Sequence, residues 1–453
     1  MTHNVSHCQV TELGRHKPYN SKVQITIEKL IYGGEGLGRL PADDRGPGKS
    51  VFVPFVLEGE QAEITLTEQK RGFARGRMEA VLAPSRFRRE PPCPYFERCG
   101  GCHYQHSTYA HQLEIKKAAL IETLKRTAKI GLDCDLQVHA SPDWNYRNRT
   151  RLKVQSDPDF ALGYYRFRSH ALLPVEQCPI SSPLINRAIA ASWEMGQSGK
   201  RGGALQEFEF FANHDDGALL IEAYCKRGTP SAAAEELARE LKGLLPEVQA
   251  VAVFEQTDPQ RTLEPKRLAN SGDPAIQYQA AGRNYRVSAG AFFQVNRFLV
   301  DDLVEAVCAG QQGNLALDLY AGVGLFSAVL AGSFAQVIAV EASQTSHADL
   351  KHNCGREVKA VLATTEQHLN QVSSELRPDL VVADPPRGGL GENVVRNLVK
   401  LRAPRLTYVS CDPSTLARDL RMLVDSGFKI EAAHLFDLFP QTYHIESVFH
   451  LAR

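Results

Sequence analysis

The sequence predicts an α/β protein: a doubly wound parallel sheet at the C-terminus, preceded by a small β-barrel and a central α/β domain. Two observations predict the sheet. Nearly continuous apolar runs alternate with helical segments in the C-terminal part, and a glycine loop follows the first run. Parallel strands are buried on both faces and are therefore apolar almost throughout. A third observation, short alternating strands between glycine and proline turns, predicts the N-terminal barrel.

The 453 residues suggest about three domains, at roughly 150 residues for each domain. We predict a disordered N-terminus over 1–20, because this segment is polar and lacks periodicity. The barrel is expected over 21–84 and the central α/β domain, with a cysteine cluster, over 85–280. The doubly wound domain is expected over 281–453.

The barrel segment carries a specific motif. Gly34-Glu-Gly-Leu-Gly38 is followed by Val51-Phe-Val-Pro54. This pattern resembles the TRAM domain, a small barrel related to the OB fold. The resemblance implies an RNA-binding role for 21–84.

Composition excludes some classes of protein and leaves others open. The apolar content of 43% suits large cores, and no run of about 18 apolar residues predicts a membrane span. The N-terminus lacks the pattern of a secretory signal, so we expect a cytoplasmic protein. We also expect the protein to be a monomer.

The formal net charge is zero, but basic residues are concentrated in two strips. Residues 70–89 hold seven basic residues and one acid, Glu79. The second strip, which follows Trp144 and Tyr146, consists of Arg147, Arg149, Arg151 and Lys153. Such strips suit a phosphate backbone and unstacked bases, although a solvated face has the same composition.

The glycine loop predicts a cofactor site. Asp318-Leu-Tyr320-Ala-Gly322-Val-Gly324 lies between an apolar strand and a helix. Glu341 ends the next strand, where a carboxylate accepts hydrogen bonds from ribose hydroxyls. Ser327 replaces the third glycine of the dinucleotide pattern. The loop instead resembles motif I of class I methyltransferases, which implies S-adenosylmethionine as the cofactor.

Four of the ten cysteines are arranged like ligands: Cys93, Cys99, Cys102 and Cys178. Disulfides are disfavoured in a cytosolic protein, and four thiolates suit zinc or an iron–sulfur cluster. Zinc sites usually contain two CxxC pairs, and only Cys99 and Cys102 form one here.

Three further candidates lie at predicted strand ends or near the C-terminus: Asp384, Cys411 and Glu446. Functional residues of open α/β sheets gather at the carboxyl ends of the strands. A lone cysteine is usually a packing residue. The alternative for Glu446 is an ordinary surface acid, and the alternative for Asp384 is an ordinary turn.

Five motifs in order resemble the RNA (uracil-5-)-methyltransferase family. They are Phe293-Gln-Val-Asn296, the Asp318 loop, Asp384-Pro-Pro-Arg387, Ser410-Cys-Asp-Pro413 and Pro440-x-Thr-x-His444-x-Glu446. The resemblance implies Cys411 as nucleophile and Glu446 as base. It implies a cofactor site formed by Gln294, Tyr320, Glu341 and Asp384, together with Asp318 and Gly322 of the loop. Two positions depart from relatives: Ala321, where many carry cysteine, and Leu325, where some carry a polar cofactor contact.

This chemistry explains why a cysteine and a base are needed. Carbon 5 of uracil is a poor nucleophile until a thiolate adds to carbon 6. After methyl transfer, a base removes the proton from carbon 5 so that the thiol can leave.

The resemblance also bears on the cysteines and on the substrate. It implies a [4Fe–4S] cluster at the four cysteines, with zinc and then unbound thiols as the alternatives. The barrel and the cysteines together resemble the 23S rRNA enzymes, in which a segment like that of Arg147 and Asn148 contacts RNA. The target base must leave its stack, and Phe292 is a candidate to stack against it. The alternatives are a tRNA uridine-54 methyltransferase and a catalytically inactive iron–sulfur RNA-binding protein.

Overall fold

The structure, a computed structural model, describes residues 22–42, 48–198, 204–256 and 264–453. The predicted disordered segment 1–20 lies outside these ranges. The chain divides into a smaller unit, Met1–Ile31 with Glu35–Arg88, and a larger unit, Tyr32–Gly34 with Arg89–Arg453. The larger unit therefore holds both regions that the sequence divides at 280/281, and the domain boundaries stay predictions.

The smaller unit contains a closed five-stranded barrel. Its strands are β1 (Lys22–Leu30), β2 (Glu35–Arg39), β3 (Ser50–Pro54), β4 (Gln61–Gln69) and β5 (Phe73–Ala83). They are ordered β1-β2-β3-β5-β4. Alternate side chains fill the interior, among them Ile27, Val51 and Val53, each at most 1% exposed. Gly36 is required in the wall, because a Cβ there would lie 2.5 Å from Cγ2 of Val56. The predicted barrel is confirmed.

The larger unit contains the remaining strands and all the helices of the described residues. The strands are β6 (Leu136–His139), β7 (Arg149–Gln155), β8 (Ala161–Tyr165), β9 (Leu172–Pro174), β10 (Leu205–Ala212), β11 (Leu219–Cys225), β12 (Val248–Glu255), β13 (Arg267–Ser271), β14 (Ala275–Ala280), β15 (Arg283–Ser288), β16 (Gly313–Leu319), β17 (Phe334–Glu341), β18 (Val358–Leu362), β19 (Leu380–Ala383), β20 (Arg405–Ser410), β21 (Lys429–Phe436) and β22 (Glu446–Ala452). The helices are α1 (Tyr109–Thr123), α2 (Pro183–Gln197), α3 (Ser231–Lys242), α4 (Val300–Cys308), α5 (Leu325–Leu330), α6 (Gln344–Cys354), α7 (Thr365–Val372), α8 (Glu392–Leu401) and α9 (Pro413–Asp425), and a π-helical turn, Leu124–Ala128, extends α1.

The first sheet of the larger unit has seven strands in the order β13-β12-β11-β10-β7-β8-β9. Helices α2 and α3 bury apolar residues against it, including Ile185, Ile189 and Leu237. Strands β14 and β15 form a separate two-stranded ribbon. This sheet presents β7, which bears most of the second basic strip.

The second sheet is the predicted doubly wound sheet. It has eight strands in the order β18-β17-β16-β19-β20-β22-β21-β6. Strands β16 to β20 are parallel, and β22 is antiparallel to both of its neighbours. Apolar clusters cover both faces, which is why these strands are apolar throughout. The edge strand β6 comes from the segment predicted to belong to the central domain.

The strand order reverses between β16 and β19. The chain runs outward from β16 to β17 and β18, and then returns to the other side of β16 at β19. In such sheets a crevice opens at this switch point, at the carboxyl ends of the strands. The loops after β16, β17, β19 and β20 meet there.

No helix within the described ranges is both long enough and apolar enough to cross a membrane.

Candidate active site

The loop after β16 has the backbone that its glycines allow. Tyr320, Gly322 and Gly324 all have positive φ angles, of 61°, 55° and 92°. A Cβ on Gly324 would lie 2.8 Å from both Leu350 Cδ1 and Cys354 Sγ, whereas a Cβ on Gly322 would meet nothing within 4 Å. Gly324 therefore packs the loop onto α6, and Gly322 borders open space.

Glu341 holds this loop from the end of β17. Its Oε2 accepts a hydrogen bond from the Gly322 amide at 2.8 Å, and its Oε1 accepts one from Ser343 N at 2.7 Å. Each carboxylate oxygen has a second lone pair, so hydrogen bonds from ribose hydroxyls remain available. Glu341 thus shapes the loop in addition to its expected cofactor role.

Asp318, the last residue but one of β16, is fully buried. Its Oδ2 accepts a hydrogen bond from Ser327 Oγ at 2.5 Å, and Oδ1 has no partner among the described residues. Burial, aided by the negative charge of Glu341, raises the pKa of Asp318 to about 7. Ser327, which stands in place of the third glycine, is therefore the hydrogen-bond donor to Asp318.

Asp384 follows β19 on the other side of the switch point. Burial and the negative charge of Asp318 raise the pKa of Asp384 to about 7. The loop that follows is fixed by Asp419, whose Oδ2 accepts hydrogen bonds from Leu390 N at 2.7 Å and Tyr408 Oη at 2.8 Å. Asp419 thus joins β20, α9 and the loop that carries Asp384.

Cys411 and Glu446 lie at adjacent strand ends, close enough for the charge of Glu446 to raise the pKa of the Cys411 thiol. The antiparallel register of β20 and β22 aligns Ser410 with Ser447. The next residues outward are Cys411 and Glu446, and directly opposed residues have Cβ atoms roughly 5 Å apart. Glu446 is 5% exposed, and its Oε1 is without a hydrogen-bond partner in the described part of the chain.

Neighbouring charges have opposite effects on the pKa values of Cys411 and Glu446. Burial, with contributions from the charges of Glu446 and Asp384, raises the pKa of the Cys411 thiol to about 12. Burial and the charge of Asp384 also raise the pKa of Glu446 well above its ordinary range. The Arg387 guanidinium acts in the opposite direction on both groups.

The segment around Gln294 packs beside the predicted RNA-contacting residues. Gln294 is 7% exposed, and Val295 O accepts a hydrogen bond from the Asn148 amide at 3.0 Å. Asn148 has no exposed surface, and its Nδ2 donates to Tyr278 Oη at 2.9 Å. Asn148 is therefore placed to hold this segment from within rather than to contact RNA directly.

Arg147 and Phe292 do line a common open cavity of about 400 Å³, and Phe292 is 63% exposed. An exposed aromatic ring beside a guanidinium can stack on an unpaired base and contact its phosphate. The structure thus brings these two predicted substrate residues together and separates them from Asn148.

The second basic strip is not an open row of cations. Arg149 is buried between Glu209 and Glu222. Arg151 lies 3.2 Å from carboxylate oxygens of Glu207 and Glu209. Strands β7 and β10 are neighbours, so the acids of β10 neutralise the bases of β7.

The first strip is also paired with acids. Arg75 lies 2.7 Å from Glu35, Arg77 pairs with Glu79, and Arg88 lies 2.5 Å from fully buried Glu60. The sequence shows one acid within this strip, but the partners Glu35 and Glu60 come from β2 and the β3–β4 connection.

The four cysteines predicted as ligands line one cavity of about 200 Å³, together with Tyr164 and Arg147. Burial raises the pKa values of Cys93, Cys99 and Cys102 most. The negative charges of neighbouring cysteines in the same set raise these pKa values further. No group of three or more His, Cys, Asp or Glu side chains is arranged to hold a metal ion within the described ranges.

Sequence patterns did not reveal three residues that shape the site: Arg387, Asp419 and Gln112. Arg387 lies within the Asp384 motif, and its basic side chain at that position is the only sequence signal that pointed to it. Asp419 lies on α9, two turns after Cys411, where it reads as an ordinary surface acid. Gln112 joins α1 to the loop before Glu446, at a separation that no local pattern encodes.

A glycine loop at the switch point of a doubly wound sheet is typical of the Rossmann-like class of proteins, which includes the class I methyltransferases. The profile of the tRNA (Uracil-5-)-methyltransferase family matches residues 108–453, and that of the TRAM domain matches residues 19–78. The chain belongs to the tRNA (Uracil-5-)-methyltransferase family. It is an RNA (uracil-5-)-methyltransferase that carries an N-terminal TRAM barrel.

Similar proteins are matched along nearly their whole lengths. An "Uncharacterized RNA methyltransferase" from Aquifex aeolicus is 33% identical over 433 residues, covering 94% of this chain and 97% of the relative. A protein of the same description from Streptomyces avermitilis is 32% identical, with 94% and 96% covered. Among solved structures, the Pyrococcus abyssi tRNA (uracil-54, C5)-methyltransferase in complex with S-adenosyl-L-homocysteine has a TM-score of 0.72 at 22% identity. That match covers 94% of this chain and 99% of the other. At this identity the structural match supports the shared fold.

Proposed function

We propose that this enzyme methylates carbon 5 of a uridine in RNA through a covalent bond between Cys411 and carbon 6. The observation that supports the proposal is the register that pairs Ser410 with Ser447, because it brings Cys411 and buried Glu446 to adjacent strand ends. A nucleophile and a base must both reach one flat ring, and adjacent strand ends provide such a geometry.

Each residue has one task in this reaction. The Cys411 thiolate adds to carbon 6, and carbon 5, which gains the electron pair, then takes the methyl group of the donor, from which a neutral thioether leaves. Glu446 next takes the proton from carbon 5, and the electron pair of that bond re-forms the carbon 5–carbon 6 double bond as the carbon–sulfur bond breaks and releases the thiolate. Arg387 favours the anionic forms of both groups, since its charge lowers their pKa values. We assign to Asp384, whose pKa responds to Asp318 and whose charge acts on Glu446, the role of accepting a hydrogen bond from the uracil ring.

The methyl donor proposed is S-adenosylmethionine, which supplies an electrophilic methyl group. The residues present fit it. Gly322 borders open space, Asp318 keeps one buried oxygen without a partner in the described residues, and Glu341 retains lone pairs. Gln294 and Tyr320 complete the proposed cofactor site. An acidic crevice also suits the positive charge of a sulfonium.

For the cysteine cavity we propose a [4Fe–4S] cluster held by Cys93, Cys99, Cys102 and Cys178. All four cysteines line one cavity of about 200 Å³. Four thiolates suit zinc or an iron–sulfur cluster, and only Cys99 and Cys102 form the CxxC pair that zinc sites usually contain twice, which favours the iron–sulfur cluster. The cluster would hold the segments around Cys99 and Cys178 together.

The proposed target is 23S rRNA, with tRNA uridine 54 as the second candidate. The combination of barrel and cysteine segment supports the first. The second is favoured by the full-length match to a chain that is described as a tRNA (uracil-54, C5)-methyltransferase.

The catalytic proposal is tested with methyl-labelled S-adenosylmethionine and RNA lacking the modification. Cys411→Ala should abolish labelling. Glu446→Gln should form the covalent protein–RNA species but release little product. Full activity of Cys411→Ala would end the covalent mechanism, and an unlabelled wild-type reaction would favour an inactive RNA-binding protein.

Mass mapping of the labelled nucleotide in rRNA and tRNA decides the target. Iron and sulfide analysis of anaerobically purified protein decides the cysteine group. Stoichiometric zinc without iron would overturn the cluster.

A further inference from the structure

The loop before Glu446 is held by an unusual number of distant groups. Asn296 Nδ2 donates to the carbonyls of Asp437 and Leu438, at 3.4 and 3.2 Å. Lys116 Nζ donates to Phe439 O at 2.9 Å. This part of the loop is therefore fixed by residues from two separate regions of the larger unit.

The next two carbonyls are held in the same way. Tyr146 Oη donates to Pro440 O at 3.0 Å. The amides of His103 and Tyr104 both donate to Gln441 O, at 2.8 and 2.9 Å. Five consecutive carbonyls, 437–441, thus each accept a hydrogen bond from outside the loop.

Gln112 makes the most specific contact with this loop. Its Nε2 donates to Gln441 Oε1 at 2.9 Å, and its Oε1 accepts from the Gln441 amide at 3.0 Å. Gln441 has a φ of 68°, a strained conformation for a residue with a side chain. Both glutamines are fully buried. The reciprocal pair offsets that strain and selects one loop conformation.

A buried ion pair adds a second constraint. Lys116, on the same helix as Gln112, lies 2.5 Å from Asp437 Oδ1, and both side chains are at most 1% exposed. A buried ion pair contributes little net stability, but it selects one arrangement over others. It fixes the beginning of the loop, as Gln112 fixes its middle.

These contacts reach back to the cysteine cavity. His103 and Tyr104 directly follow Cys102, and the Gln105 side chain hydrogen-bonds with Cys93 and Cys102. The segment 102–105 therefore both donates hydrogen bonds to Gln441 O and lines the cysteine cavity.

We propose that Gln112 and Lys116 are positioning residues for the catalytic base: they fix the loop 437–445 so that Glu446 enters β22 with its carboxylate aimed at carbon 5. We call the set formed by Gln112, Lys116, Tyr146, Asn296 and the amides of His103 and Tyr104 the base clamp. This inference rests on the proposed function. Glu446 is the first residue of its strand, where strand pairing alone constrains it least.

The base clamp acts on one step only. Addition of Cys411 to carbon 6 does not need Glu446, whereas removal of the carbon 5 proton does. Loosening the clamp should therefore slow elimination and leave addition intact. A misplacement of about 1 Å costs on the order of 100-fold in rate.

The test uses full-length Gln112→Met and uridine-containing RNA. We expect turnover to fall about 10- to 100-fold, while a denaturation-stable adduct between Cys411 and RNA accumulates. Glu114→Met, at an exposed position of the same helix, is the control and should match the wild type. Binding of S-adenosylhomocysteine, measured by calorimetry, should be unchanged and reports an intact fold.

The second variant is Lys116→Met with Asp437→Asn, which removes both charges together and so avoids a buried unpaired charge. It should accumulate the same adduct. Wild-type turnover in Gln112→Met would overturn the clamp, and so would equal loss of adduct and turnover with cofactor binding retained. Failure of the wild type to form an adduct with 5-fluorouridine RNA, whose carbon 5 has no removable proton, would refute the proposed function itself.

Discussion

Cys411 lies among charges of opposite sign, and their balance decides when its thiolate forms. Burial raises its pKa most, Glu446 and Asp384 raise it further, and Arg387 lowers it. The same guanidinium lowers the pKa of Glu446. Arg387 therefore promotes the reactive form of both the nucleophile and the base.

Replacing Arg387 should move the pH dependence of the reaction. Without the cation, the anionic forms of Cys411 and Glu446 are less favoured, so both pKa values rise. We expect Arg387→Ala to shift the rising limb of the kcat profile to higher pH, by up to about one unit because the side chain is exposed. Arg387→Lys keeps the charge and should shift it less. An unchanged limb in Arg387→Ala would contradict this role.

The raised pKa of Asp318 leads to a prediction about the pH dependence of folding stability. Its pKa is about 7 in the folded protein against an ordinary value of 3.8. Between those values the folded state binds more protons than the unfolded state, so stability falls as the pH rises through this window. Asp318→Asn removes that dependence and can still accept the hydrogen bond from Ser327.

The thermal midpoint of Asp318→Asn, relative to the wild type, should therefore be higher at about pH 8 than at about pH 5. Ser327→Ala serves as the comparison, because it removes the hydrogen bond and retains the titrating carboxyl. A difference between Asp318→Asn and wild type that is independent of pH would mean that Asp318 stays ionised throughout.

At the scale of elements, the local parts of the site were predictable. A strand, a glycine loop and a terminal acid occur within 24 residues, from Asp318 to Glu341, so periodicity and spacing reveal them. The register that pairs Ser410 with Ser447 brings Cys411 and Glu446 to adjacent strand ends although they are 35 residues apart, and it depends on β22 being antiparallel. Only the resemblance to a family connected them beforehand.

Ion pairing shows most clearly what sequence patterns miss. Arg149 reads as a cation available to RNA, yet Glu209 and Glu222 bury it. These acids belong to neighbouring strands, and a sequence does not state which strands become neighbours. For the same reason β6 could not be assigned to the edge of the second sheet.

The loop after β16 allows a matched pair of substitutions. Gly322 and Gly324 both have positive φ angles, but only at Gly324 would a Cβ clash with its surroundings. Gly324→Ala should destabilise the fold by about 1–3 kcal/mol and weaken S-adenosylhomocysteine binding. Gly322→Ala should cost about 1–2 kcal/mol, for the backbone conformation alone.

Calorimetry of S-adenosylhomocysteine binding, combined with denaturant unfolding, measures both effects. Equal losses of stability in the two variants would show that φ alone governs the loop, and that its packing on α6 is unimportant.

For the whole molecule, the even charge balance constrains how RNA is bound. The chain has 52 basic and 52 acidic residues, and much of both basic strips is ion-paired. Few cations of these two strips are then left unpaired to neutralise phosphates, so we expect binding to draw more on stacking, as at exposed Phe292, and on specific contacts. The enzyme would select its RNA by shape and by an extruded base rather than by general attraction.

This balance predicts a shallow salt dependence of RNA affinity. If about two phosphates of a single strand are neutralised, raising the salt from about 50 to 200 mM should weaken binding by less than about tenfold. Fluorescence anisotropy with a labelled RNA fragment measures it. Glu207→Gln removes the acid that Arg151 and Lys153 share. Arg151 keeps its pair with Glu209, but Lys153 is released to face the RNA, so the salt dependence should steepen. A wild-type loss of a hundredfold or more would mean that the ion pairs open when RNA binds, and that the strips serve as a phosphate track.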